Sequence, residues 1–183
     1  MTAIALPADA RGATAKTASK AGFDIGPVAR TLVGIACFTM CFFVVVALAR
    51  AAFGLVDNLH HYAKLPVIIH VASVLPAIPL GGYLLLARKG AKRHKQLGKL
   101  WLVLMLITAT SAIFIKSSGS FSPIHIFVPI TFHAAWKTIA TARRGDIAGH
   151  KKHLVFTYLA ALMIPGIAAF ALPGRLMNVM LLG

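Results

Sequence analysis

The chain has 183 residues, 58% of them apolar, with 19 Lys and Arg set against four acidic residues, none of them Glu, for a formal charge of +15. A soluble protein this basic would point to nucleic acid, but the apolar residues here fall in long uncharged runs, so the charge belongs first to membrane topology. Nucleic-acid binding is not supported.

Residues 1–29 are rich in Ala, Thr and Gly with scattered charge, which predicts a disordered cytoplasmic arm. Residues 30–183 read as a single membrane domain. Its first uncharged run, 31–49, has 19 residues, close to the roughly 20 that cross a bilayer core of about 30 Å. Ala47-Leu48-Ala49 resembles a signal-peptide cleavage site, but the arm and the run are both too long for one, which predicts an uncleaved helix. Cys37 and Cys41 lie one turn apart in this helix. Two thiols with a neighbouring Met40 are too few ligands to specify copper, so they read as buried structural thiols, and a disulfide framework is excluded.

The loop DNLHHYAK follows, where His60 and His61 suit either metal capture or plain solvent exposure. The second span, 65–87, is uncharged over 23 residues. The third has an uncharged run of 16 residues, extended to 98–116 if Lys99 and Lys116 snorkel to the interface. The fourth, 123–142, is interrupted only by Lys137, and Ser122-Pro123 reads as an N-cap followed by Pro at the first helical position. The fifth, 154–172, is again 19 residues long. Pro76, Pro79, Pro129 and Pro165 fall inside these spans and should kink them. Ser73, Ala77, Gly81, Ala112, Ala161 and Gly166 are small enough to let helices approach closely.

Five spans sort the basic residues. Fifteen of the 19 fall in the N-terminal arm, the second connection (Arg88 to Lys99) and the fourth connection with Lys137. Only Arg50, Lys64, Lys116 and Arg175 fall on the other side. The positive-inside rule then predicts an N-in, C-out membrane protein, its basic turns facing anionic lipid headgroups.

A repeat links the spans. His70 is followed after twenty residues by Gly90 and preceded there by Arg88-Lys89; His125 is followed after twenty residues by Gly145, preceded by Arg143-Arg144. Each turn leads to another histidine, His94 in the first and His150 in the second. This pattern is a helical hairpin duplicated at an offset of 55 residues. Parallel repeats in membranes are related by an axis along the membrane normal. Spans two to five therefore read as a four-helix bundle with span one added outside, within an all-α integral membrane fold. His70 and His125 would face each other at one depth near the outer face, and His94 and His150 would pair at the cytoplasmic end.

A desolvated imidazole stays neutral and is then an iron or copper ligand. Facing helices of a bundle commonly supply two such ligands to haem, and no carboxylate lies within a span to support di-iron or proton-relay chemistry. His70 and His125 are the candidate axial ligands of haem b, with His94 and His150 a possible inner site. The alternative for each pair is packing: a hydrogen-bonded contact between helices for the outer pair, headgroup or solvent contact for the inner. His133 has no repeat counterpart and reads as a satisfied core histidine. It could otherwise line a quinone or a haem edge, with Lys137 as the cation for a propionate.

The set His70, Arg88-Lys89-Gly90, Arg93-His94-Lys95-Gln96-Leu97-Gly98, His125, Arg144-Gly145-Asp146 and His150 resembles a bacterial family of predicted membrane proteins with no assigned activity, over residues 65–175. The arrangement is also similar to the di-haem transmembrane b-type cytochromes, in which four helices give one ligand each and alternate helices share a haem. That resemblance implies His70 with His125 and His94 with His150. The run GHKKH departs from the family pattern, so His150 and His153 compete for one role. Two functions follow as expectations. One is a small b-type cytochrome or haem-bearing subunit passing electrons between a quinone and a partner protein. The other is a non-catalytic assembly factor or accessory subunit whose histidines only pack. Transport finds no charged pathway.

Overall fold

The computed structural model describes residues 25–57, 59–87, 91–115 and 122–183. Most of the arm, the dibasic pair before Gly90 with that glycine, and Lys116 lie outside the described residues. Helix α1 spans Pro27–Ala52, α2 Leu65–Leu86 and α3 Ala91–Ile113. A 3-10 turn, Pro123–Ile126, leads into α4, Phe127–Arg143. Helix α5, Ile147–Phe156, runs through a π-helical segment, Thr157–Met163, into α6, Ile164–Ala171, and α7 spans Leu176–Leu182. Among the described residues four helical stretches are long and apolar enough to cross a membrane: Pro27–Ala52, Leu65–Leu86, Lys92–Ile113 and Ile147–Ala171.

Apolar side chains face outward, as a bilayer solvent requires. Phe38 and Val45 of α1, Val103 of α3 and Ile167 of α6 are all exposed, each more than half. Helix α1 buries only Val33, Met40 and Ala47. These residues recur every seventh position, so the helix touches its neighbours along one narrow seam. It packs on α2, the π segment and α7.

The core forms where α2 carries its small residues. Ser73, Ala77 and Gly81, one turn apart, are all buried. A Cβ added at Gly81 would lie 2.6 Å from both Trp101 Nε1 and the Tyr158 ring, and one at Gly82 would collide with Cys37. The glycine pair therefore lets α1, α3 and the π segment converge on α2. The two aromatics bring their polar ends with them: Trp101 Nε1–H donates to Ala77 O at 2.9 Å and Tyr158 O–H to Ile78 O at 3.0 Å. Both are fully buried, where an unmade hydrogen bond would be costly.

The prolines act in two ways. Pro76 and Pro79 lie inside α2. Pro165 stands in the first turn of α6, directly after the π segment. A proline ring crowds the carbonyl four residues back and offers no N–H, and a wider turn accommodates both effects. Pro129 lies in the first turn of α4, directly after the 3-10 turn.

The turn between α4 and α5 explains one quoted motif structurally. Gly145 adopts φ 72°, Gly145 N–H donates to Ala142 O at 3.3 Å and Asp146 N–H to Thr141 O at 3.0 Å. Such a left-handed residue closes a helix C-terminus. Asp146 then caps α5 by accepting from Gly149 N at 2.8 Å. Arg144-Gly145-Asp146 thus ends one helix and starts the next. Asp146→Ala should cost about 1 kcal/mol, a fall in Tm of roughly 2–4 °C, measured by thermal unfolding in detergent; an unchanged Tm would contradict the cap.

Candidate functional site

His70 lies on α2 and His125 in the 3-10 turn before α4, and both line one cavity of about 200 Å³. Its walls come from α1 to α4, the π segment, α6 and α7, and they are overwhelmingly apolar. The polar lining is His70, Thr108, His125, Thr131 and Arg175.

Each imidazole is held at Nδ1. Nδ1–H of His70 donates to Thr108 O on α3 at 3.0 Å, with Ser111 Oγ at 3.2 Å. A carbonyl can only accept, so this bond puts the ring proton on Nδ1 and leaves Nε2 with a lone pair. The support extends outward: Ser111 Oγ–H donates to the same carbonyl at 2.9 Å, and Ser73 Oγ lies 2.8 Å from Thr108 Oγ1. Ser73, Thr108 and Ser111 are buried, so α2 and α3 are joined by a polar seam around His70.

His125 is held by its own turn. Ser122 is the N-cap and Pro123 opens the helix, as the dipeptide suggested. His125 Nδ1 lies 3.0 Å from Ser122 O and 3.1 Å from Ser122 N, with Ser122 Oγ at 3.3 Å. Two tautomers satisfy this geometry. As a donor to Ser122 O, His125 matches His70 and keeps a lone pair on Nε2; as an acceptor from Ser122 N–H it closes a capping box. Nε2 of His125 is buried.

The other candidates lie elsewhere. His150 of α5 repeats the first pattern, its Nδ1–H donating to Thr138 O at 3.0 Å across the α4–α5 turn. His94, in the first turns of α3, and His150 are both half-buried, and neither lines the cavity. His153 lies one turn after His150, also half-buried. Among the described residues no three metal-binding side chains cluster. His60 and His61 stack at 4.0 Å on an exposed 3-10 turn.

His133 corrects the sequence reading. It is exposed on the outer face of α4 beside Phe132 and Trp136, rather than packed in the core. Helix α4 buries Thr131, Ala134, Ala135 and Thr138, and these small residues turn His133 away. Lys137 sits over the Trp136 ring at 5.0 Å, a cation–π contact away from the cavity. The cation on the cavity is Arg175, which precedes α7 and donates from a guanidinium nitrogen to Ser122 Oγ at 3.2 Å. In the sequence its signal was only a lone Arg after Pro173-Gly174, before the apolar run LMNVMLL.

A chain of this kind, with bilayer-length helices that turn apolar side chains outward and bury a polar seam, is an all-helical integral membrane protein. It belongs to a family described as predicted membrane protein (DUF2306), whose model matches residues 67–181, more than half of the chain. No curated protein and no solved structure matches it.

Proposed function

We propose that this protein is a small b-type cytochrome of the bacterial inner membrane, in which His70 and His125 would hold one haem. The observation that carries the reading is that these two histidines, one on α2 and one in the turn before α4, line the same apolar cavity. Their Nδ1 contacts support it, because a ligating histidine ordinarily gives its other ring N–H to a carbonyl or carboxylate, which fixes its orientation and raises its basicity. His70 does so at Thr108 O, and His125 does so at Ser122 O in its donor tautomer.

The donor set and the charge fit haem; the volume is tighter. A cavity of about 200 Å³ is below the roughly 300–1,000 Å³ of most ligand pockets, so a macrocycle requires the walls to part. One wall is α7, a helix of only seven residues preceded by Gly174 at φ 74°. It is tied by Arg50 donating to Met180 O at 3.2 Å and to Gly183 O at 2.6 Å and by Asn178 Nδ2–H donating to Phe170 O at 2.7 Å, with Tyr62 O–H donating to Gly174 O at 3.3 Å just before it. When bound, haem supplies a one-electron couple. The chain supplies two oriented imidazoles, an apolar enclosure that excludes water, and one cation at its edge.

A fifth crossing belongs to the same reading. The 3-10 turn and α4 are continuous over 123–143, and at about 2.0 and 1.5 Å per residue they extend roughly 33 Å, enough for a bilayer core of about 30 Å. Five crossings with the basic turns inside put the N-terminus in the cytoplasm and the cavity toward the outer face. His94 and His150 then form the inner candidate pair, and a quinone or a redox protein of the membrane would exchange electrons with the haem. A second reading, in which the histidines only pack, is favoured by the capping box, since Ser122 N–H donating to His125 Nδ1 closes the turn without any ligand.

Extraction of the purified protein into alkaline pyridine tests the proposal and counts the sites. A haemochrome equivalent to a single haem per chain matches the outer site alone, and twice that amount adds the inner pair. No haemochrome from protein made with ample haem supply would contradict it.

A further inference from the structure

We propose that Arg175 makes one end of this cavity a carboxylate-binding site, which selects an occupant with an acidic group at the edge of an apolar body. This deepens the haem reading and rests on it for the identity of the occupant. The chain has only four acidic residues, and the two among the described residues, Asp57 and Asp146, do not line the cavity. Arg175 is half-buried among apolar side chains, so its charge is partly withdrawn from water, and among the described residues no acidic side chain lines the cavity with it. Its recorded hydrogen bond among the described residues is to Ser122 Oγ, a neutral acceptor. A guanidinium has five N–H donors in a planar fork suited to a carboxylate, and one bond to a hydroxyl leaves most of that fork available.

Arg175 is also joined to the ligand candidate. The serine hydroxyl that it contacts lies 3.3 Å from His125 Nδ1, so a single residue, Ser122, touches both the cation and the imidazole. An anion at Arg175 would favour the positive charge that His125 acquires on donating its lone pair to a metal. The two groups therefore act on one occupant: the imidazole holds its centre and the guanidinium its acidic rim. A haem propionate has this chemistry, and so does the carboxylate of a fatty acid.

Titration of the full chain in non-ionic detergent distinguishes the two sources. The probes are haem and haem dimethyl ester, followed in the Soret region, and cis-parinaric acid and its methyl ester, followed by fluorescence. The wild type should bind haem roughly 10- to 100-fold more tightly than the diester, the worth of a charge-assisted hydrogen bond. Arg175→Gln should level that preference, and Arg175→Lys should restore part of it, at unchanged Tm. Equal binding of haem and diester by the wild type overturns the carboxylate site while leaving the haem reading intact. A preference for parinaric acid over its ester, lost in Arg175→Gln, with no binding of either haem, sustains the carboxylate site and removes the haem reading. No preference for either acid over its ester overturns the inference.

Discussion

His70→Ala and His125→Ala should each abolish the Soret band of the purified protein, while His133→Ala leaves it unchanged. Removing a hydrogen-bond partner of a ligating histidine already costs about 10–100-fold in affinity, and removing the ligand itself costs more. The fold should survive. Thr108 O keeps the hydroxyl of Ser111 as a donor when His70 is lost, and an interhelical hydrogen bond in a bilayer is worth on average only about 0.6 kcal/mol. Size-exclusion profiles matching the wild type, alongside lost colour, would separate ligation from stability. His133 serves as the control because it lies on the outer face of α4, away from the cavity. Retention of the full Soret band in His70→Ala would remove that residue from the ligand set.

Gly81→Val should be the most damaging substitution in the core. Its Cβ alone would lie 2.6 Å from Trp101 Nε1 and from the Tyr158 ring. Neither aromatic can move aside cheaply, since both are buried and each spends its polar hydrogen on a carbonyl of α2. Overpacking costs about 1–3 kcal/mol and the two hydrogen bonds about 1 kcal/mol each, so roughly 3–5 kcal/mol is expected. At about 2–4 °C per kcal/mol for a chain of this size, Tm in detergent should fall by roughly 10 °C. Gly98→Ala is the matched comparison: it lies within α3, and a Cβ there meets nothing within 4 Å. It should raise Tm slightly, because alanine favours a helix interior by about 0.5–1 kcal/mol over glycine. If Gly81→Val melts with the wild type, the convergence of three helices on the glycine pair is not what holds the core.

The membrane class was legible because it depends on run length, a property that tertiary contacts do not rewrite. The run read as 65–87 contains α2, Leu65–Leu86, and the Ser122-Pro123 signal marks a helix start in the structure. Helix ends were harder. The helical stretch read as starting at residue 154 begins at Ile147, because Asp146 caps it and the basic residues His150 to His153 sit in its first turns. Charge marks the membrane boundary, not the helix boundary. The π segment had only an indirect signal in Pro165, and α7 none, since a mostly apolar stretch of seven residues is too short to suggest a span. Within the site, the repeat identified His70 and His125, and both line one cavity. Thr108, Ser111 and Arg175 went unseen because hydroxyls in an apolar helix and a lone arginine after a turn carry no spacing signature. Arg175 and not Lys137 lines the cavity, because the face on which α4 packs turns that lysine outward over Trp136.

The central claim is that two imidazoles from separate helices hold one iron. The most direct measurement is the absorption spectrum of the wild-type protein, purified in mild detergent from cells supplied with a haem precursor, before and after reduction with dithionite. The account predicts a Soret band that shifts on reduction and resolved visible bands of six-coordinate, low-spin iron. A folded, monodisperse protein with no absorbance beyond its aromatic side chains would contradict it.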